Sequence, residues 1–217
     1  RRQRQMCIRD SPYCQGRIFD TLEKDEGQYN KPTEIFWGSG ASLMVKSSLY
    51  HSEGGLDEEL FAHMEEIDLC WRIKNQGYKV MYCPEAVVYH VGGGTLNKIN
   101  SKKTFLNYRN NLLLLHKNLP KKGRTWLIFR RMTLDGLSGI KLLMEGRFSH
   151  CFAVFRAHMS FYRHIRQNKR KRKPQNNANM VGFSRFSVVK YYFIKNVKTY
   201  SCLLYTSPSP LDRSLSR

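Results

Sequence analysis

Hydrophobic positions change their spacing near residue 102, and the change separates a mixed first half of the chain from a helical second half. In the first half, residues 15–31 are polar and read as loop, with Ile18 and Phe19 as a local anchor. Residues 41–45 form a short apolar run behind the small-residue turn Gly38, Ser39, Gly40, the pattern of a buried strand. Residues 47–51 suit a short helix, which Gly54 and Gly55 break. Residues 65–76 predict a second helix. Glu65, Glu66 and Asp68 fall in its first turn, Arg72 and Lys74 come later, and Gly77 stops it, a charge order that complements the helix dipole. Residues 78–82 and 86–91 read as strands split by Pro84, and the glycines at 92–94 close the block.

From residue 102 the period is helical. Phe105, Leu106, Leu112, Leu113 and Leu115 mark a helix that ends at Leu119 and Pro120. Residues 125–167 continue as helical segments that mix apolar and basic side chains, punctuated by Gly136, Gly139 and Gly146. A basic run at 163–173 leads into an Asn-rich linker at 174–180, and the basic, aromatic stretch 183–200 has no assignable period.

Composition sharpens this picture in two respects. Hydrophobic residues make up 41% and aromatic residues 12% of the 217, which suits a globular protein rather than a disordered one. The formal net charge is +20, and after Asn100 the only acids are Asp135, Glu145 and Asp212. Such a field favours an anionic partner: a membrane surface, a nucleic acid or a phosphorylated ligand. The cysteines (7, 14, 70, 83, 151 and 202) form no Cys-x-x-Cys pair, and Cys70 and Cys83 sit in apolar runs. Reduced, buried thiols are expected. Arg130 and Arg131 interrupt the best apolar stretch well short of the ~20 residues that span a bilayer.

The chemistry concentrates at Glu65, Glu66 and Asp68, carboxylates crowded among Met64, Ile67, Leu69, Cys70 and Trp71. Like charges so close are costly unless water, a cation or helix amides offset them, and carboxylates in a partly apolar setting are what a general base or a metal site requires. An ordinary explanation stands beside this one. First-turn acids complement the dipole, and Asp68 and Arg72 are an i,i+4 ion pair.

Five ordered motifs supply the context: Trp-Gly-Ser-Gly-Ala-Ser at 37–42, Gly-Gly-Leu-Asp-Glu-Glu-Leu-Phe at 54–61, Met-Glu-Glu-Ile-Asp-Leu-Cys-Trp-Arg at 64–72, Gly-Tyr-Lys-Val at 77–80 and Val-Tyr-His-Val-Gly-Gly-Gly-Thr at 88–95. In this order, across residues 12–119, they resemble the acceptor-side half of family 2 glycosyltransferases, inverting, metal-dependent enzymes of the GT-A fold. The resemblance implies an α/β fold class: the C-terminal portion of a GT-A domain with a mixed sheet, followed by amphipathic α-helices. It implies that Glu66 is the general base, a place the family more often fills with Asp, and that Glu65 orients the site. Helix-start amides would keep both acids ionised. Trp37, Gly38, Ser39 and Gly40, with Asp68 and Arg72, would form the acceptor and donor pocket. Asp57 would shape its loop, and His90 would be a third ligand of a divalent cation, Mg2+ or Mn2+. The partners implied are a nucleotide-diphosphate sugar donor and a saccharide or lipid-linked acceptor of cell-envelope polysaccharide synthesis.

The family's Asp-x-Asp pair lies upstream of everything matched, and Glu23, Lys24 and Asp25 are no substitute. The resemblance therefore implies a fragment without most of its donor site, inactive by itself. Residues 120–173 are expected as a basic helical extension lying on an anionic membrane surface, which places the protein in the cytoplasm, peripheral to the inner face of the cell membrane. Residues 174–201 are a linker and an unassigned segment. Residues 1–11 and 202–217 pattern as neither helix nor strand and resemble translated sequencing-adapter read-through, so they are expected to be non-native tails beyond which the true protein continues. Two other classes stay open. A basic nucleic-acid-binding module is prompted by the run at 163–173, but no recognised motif accompanies it and the acidic cluster would repel phosphates; no nucleic acid is expected. An inactive transferase-like scaffold is the other.

Overall fold

The structure, a computed structural model, describes residues 6–7, 11–14, 16–19, 21–89, 100–173, 181–182, 187–200 and 202–203. In chain order its elements are β1 (Met6–Cys7), β2 (Tyr13–Cys14), β3 (Arg17–Ile18), β4 (Thr21–Leu22), β5 (Thr33–Ile35), α1 (Ser47–Ser52), α2 (Glu65–Asn75), β6 (Val80–Tyr82), α3 (Ser101–Asn118), α4 (Lys121–Met144), α5 (Phe148–Arg170) and α6 (Val188–Phe193). Short 3-10 turns lie at Gly40–Ser42 and Glu58–Leu60. The chain is thus mixed α and β, and it divides into two compact units.

The first unit comprises residues 1–38, 79–88 and 179–217. Two-residue strands make an antiparallel meander in the order β1-β2-β3-β4, and β5 pairs antiparallel with β6 in the register Glu34 to Met81. Tyr13, Ile18, Tyr29, Val188, Tyr200 and Leu203 form its core. The sequence expectation differs here in several places. Residues 15–31 contain β3 and β4 rather than loop alone, and Met6 and Cys7 pair with Cys14 and Tyr13. Strands of two residues are too short to show alternation, so pairing rather than pattern reveals them. Residues 86–89 form no strand, and every pairing among the described residues is antiparallel, so the mixed sheet is not seen there. Cys83 is exposed, its thiol donating to Glu85 at 3.2 Å.

The second unit comprises residues 39–78 and 89–178. The expected strand at 41–45 is a 3-10 turn capped by the Ser39 hydroxyl and followed by irregular backbone, with Met44 97% exposed. A short apolar run cannot by itself distinguish strand from turn. Helices α1 and α2 form as expected, and Gly77, at φ +87°, ends α2 in the left-handed conformation that glycine adopts without strain. Helix α3 buries the run Leu112–Leu115 against α5, which answers with Ala153, Val154, Ala157 and Phe161 at helical spacing. Asn168 on α5 donates to the Leu113 carbonyl at 2.9 Å, and Arg172 donates to those of His116 and Leu119. These bonds tie α3 to α5 within the second unit.

Gly136 and Gly139 do not interrupt α4. A Cβ on Gly139 would lie 3.9 Å from Cys151 Sγ and 4.0 Å from Val154, so this glycine marks close approach of α4 to α5. The real break is at Lys122 and Gly123 near the helix start.

Candidate active site

The backbone leading into α2 is strained. Phe61, His63 and Met64 all have positive φ, at 61°, 69° and 77°, a region that costs non-glycine residues roughly 1–3 kcal/mol each. Around Phe61 the Ala62 amide bonds the Leu60 carbonyl at 2.7 Å, the rare γ-turn form with φ above zero. Helix α3 holds this turn in place. The buried Asn110 amide donates to the carbonyls of Leu60, Ala62 and His63 at 2.7, 2.9 and 2.8 Å, and Arg109 donates to that of Glu59 at 2.8 Å. Strain sustained by a dedicated buried donor is a common mark of a working site.

The turn delivers Glu65 and Glu66 at the helix start. Met64 offers no side-chain cap, and the amides of Glu66 itself, Gly40 and Ile67 bond the Glu66 carboxyl. Burial and the neighbouring Glu65 carboxylate outweigh those amides and push Glu66 up to about 7 from an ordinary 4.5. This corrects the expectation that helix amides keep both acids ionised. Glu66 Oε2, Glu65 Oε2 and His63 Nε2 are buried and have no hydrogen-bond partner among the described residues. Burial lowers the basicity of His63, aided by Lys103 and opposed by Glu65. The result is a carboxylate poised to exchange a proton near neutral pH, with a lone-pair oxygen left unfilled.

The raised Glu66 carries a stability consequence. Below pH 4.5 the group is protonated folded and unfolded; between 4.5 and about 7 only the folded chain holds the proton, so its contribution to stability falls as pH rises. At pH 8 the E66Q protein is therefore expected to resist urea better than the native one, by about 1–3 kcal/mol, and to lose that advantage at pH 4. Equal stability at both pH values would contradict it.

Asp68 is sealed away from solvent, whereas Arg72 reaches the lining of a cleft beside it. The Asp68 side chain is 0% exposed and receives Arg72 Nε at 2.8 Å, Lys117 Nζ at 2.9 Å and Asn118 Nδ2 at 2.7 Å. Arg72 also donates to the carbonyls of Glu53 and Gly55. Lys117 continues to Asp57 at 2.7 Å, and Lys171 joins Asp57 and Glu59 at 2.6 and 2.7 Å. Burial would raise Asp57, but the Lys117 and Lys171 ammoniums outweigh it and hold the carboxyl at about 2. Its contribution is present above pH 3.8 and lost as pH falls through about 2. These charges fix the turn at 53–59 to α2, α3 and the end of α5, and they line a cleft of about 680 Å³. Asp57 therefore shapes its loop, and Asp68 and Arg72 build the frame behind the site.

Of the remaining predicted residues, Gly40 lies against Glu66, where its Cβ would sit 3.9 Å from the Glu66 Cβ, and Ser39 caps the same turn. Trp37 and Gly38 belong to the first unit, where Trp37 is buried and presents no open ring face for stacking. His90 and Gly92–94 lie outside the described residues. Among the described residues no group of three or more His, Cys, Asp or Glu side chains is placed to hold a metal. Sequence reasoning missed His63, Asn110, Lys117 and Asn118. Each is an unremarkable polar residue in its own helix or loop; distant partners give Asn110, Lys117 and Asn118 their roles, and the strained turn gives His63 its place beside Glu65.

No protein-family model and no solved structure matches the chain. Curated proteins do match part of it. A span of 62 residues is 39% identical to N-acetylglucosaminyl-diphospho-decaprenol L-rhamnosyltransferase of Mycobacterium tuberculosis, covering 28% of this chain and 20% of that protein. A span of 148 residues is 20% identical to the low-salt glycan biosynthesis hexosyltransferase Agl10 of Haloferax volcanii, covering 66% of this chain and 48% of that protein. A span of 85 residues is 31% identical to the pre-mycofactocin glycosyltransferase of M. tuberculosis, covering 37% and 18%. The chain spans about half or less of the length of these relatives, and over those spans it is similar to glycosyltransferases.

Proposed function

We propose that this chain is the acceptor-side part of an inverting, family 2-like glycosyltransferase of the GT-A type. The full protein would move a sugar from a nucleotide-diphosphate donor to a saccharide or lipid-linked acceptor. One observation carries the reading: Glu66 stands at a strained helix entrance, half-buried, shifted to about 7, with one carboxylate oxygen unpartnered. The partial similarity to glycosyltransferases supports the same class of chemistry.

In this mechanism Glu66 Oε2 accepts the proton of the acceptor hydroxyl as that oxygen bonds to the anomeric carbon. The bond from the anomeric carbon to the diphosphate oxygen breaks, and the nucleotide diphosphate leaves with the electron pair. Attack from the face opposite the leaving group inverts the anomeric centre. Glu65 keeps Glu66 basic by repulsion, and the Gly40 and Ile67 amides fix which oxygen faces the acceptor. His90 would serve as one ligand of Mg2+ or Mn2+, the others lying upstream of this sequence. That cation would offset charge on the departing diphosphate.

Two results test the proposal on the full-length protein. Transfer from the donor rises with pH through about 7, following ionisation of Glu66. Transfer also stops when a chelator removes divalent cations and returns with Mg2+ or Mn2+. A rate flat across neutral pH, measured where chemistry limits turnover, would remove Glu66 from the role of base. At the end of the basic run, Lys171, Arg172 and Lys173 are engaged within the chain by Asp57, Glu59, main-chain carbonyls and Glu53, while Arg163, Arg166 and Arg170 are exposed.

A further inference from the structure

Helices α4 and α5 each have two apolar faces, and only one is used. On α4 the inward positions are Ile128, Asp135 and Gly139. The opposite side carries Trp126, Phe129, Leu137, Ile140 and Met144, all exposed and on one helical face, with exposed Thr133 between Phe129 and Leu137. On α5 the core takes Ala153, Val154, Ala157 and Phe161. Its outward stripe is Phe148, Phe152, Phe155, Met159 and Tyr162, again exposed. Trp126 stacks on Phe129 with centroids 5.7 Å apart, and Phe152 stacks on Phe155 at 6.4 Å. The helices are joined at residues 145–147 and pack together, and Tyr162 of α5 reaches Met132 of α4. An apolar, aromatic surface of this extent, left in water, marks an interaction site.

Charge identifies the occupant. Residues 121–173 contain only two acids, Asp135 and Glu145. Asp135 is buried between Arg131 and His158, and Glu145 lies within reach of Lys141 and Arg147. Beyond the apolar stripe of α5 the outward positions become Arg163, Arg166 and Arg170, all exposed. A second copy of this face would bring arginines against arginines. A membrane surface offers both a headgroup region for the aromatics and anions for the guanidiniums. Neither helix can cross the bilayer, because no described helix is long and apolar enough.

We propose that the outward face of the α4–α5 hairpin lies in the plane of an anionic lipid surface, its aromatic stripes in the headgroup region and its arginines on acidic lipid. The site is separate from Glu66 and stands whether or not the chain is a transferase. The E66Q protein binds as the native protein does.

The test uses the full-length protein with vesicles of phosphatidylcholine alone or of phosphatidylcholine with phosphatidylglycerol. Trp37 and Trp71 are buried while Trp126 is 63% exposed, and the difference in emission between the protein and its W126F variant isolates Trp126. Phosphatidylglycerol vesicles are expected to sediment the protein and shift Trp126 emission to the blue; phosphatidylcholine vesicles do neither at low salt. Phe152→Ser with Phe155→Ser weakens binding roughly tenfold or more with helical circular dichroism unchanged. Arg163→Glu with Arg166→Glu weakens it while leaving the apolar face intact. Binding without the Trp126 shift, or binding indifferent to the phenylalanines, overturns the proposal. Trp126 already shielded before vesicles are added also overturns it, as does self-association abolished by the phenylalanine variant, since either gives the face to another protein surface.

Discussion

Replacing Glu66 by Gln in the full-length protein lowers sugar transfer by about two to four orders of magnitude, the range over which a positioned general base acts. Gln keeps the shape and the amide contacts from Gly40 and Ile67 but has no basic oxygen to take the proton. Donor affinity is expected to be unchanged, because the nucleotide sugar does not depend on that proton. The loss should therefore fall on kcat, not on donor binding. Glu66→Asp, which restores the carboxylate one methylene shorter, should recover part of the rate. Near-normal turnover in E66Q, or loss of donor binding equal to the loss of rate, would refute the assignment. The same substitution stabilises the fold at pH 8, so the expected pattern is a more stable and nearly inert protein. Simple misfolding would give the reverse.

Replacing Asp68 by Ala is expected to lower unfolding free energy by about 3–5 kcal/mol, the cost of stranding buried charge. Arg72 and Lys117 would lose the anion they share at 2.8 and 2.9 Å, and Asn118 its acceptor at 2.7 Å. Both cations are nearly excluded from water, so solvent cannot replace the carboxylate. Domains typically hold only about 5–15 kcal/mol in total, so urea titration should show a large drop in midpoint. Lys117 keeps Asp57 at 2.7 Å, so pairing the change with Lys117→Met, which strips a partner from Asp57 as well, should deepen the loss. A drop of under about 1 kcal/mol would mean that the network is not closed as described.

Glu66 and Asp68 have different fates despite lying two residues apart on α2. Glu66 keeps a buried oxygen without a hydrogen-bond partner among the described residues, whereas Asp68 is fully paired by side chains from α2 and α3. The family resemblance implied a general base at Glu66 and a pocket residue at Asp68, and a first-turn position is the same for each. What separates them is α3, whose Lys117 and Asn118 are about fifty residues away along the chain. Asn110 is a similar case. Its spacing in α3 suggests nothing beyond a polar helix position, yet it closes the strained turn that aims Glu66.

Local pattern alone determined the helix at 65–75, its acidic start and its glycine stop, along with α1, α3 and the helical character of residues 125–167. Capping, dipole and periodicity act within a few residues, so the amino-acid order expresses them directly. Tertiary structure alone decided which carboxylate keeps an unpartnered oxygen, what holds the turn at 61–64, and which of two apolar faces on α4 and α5 is left in water. These outcomes depend on the partner that each side chain meets across the fold, and a helix hydrophobic on both sides carries no local mark of which side that will be.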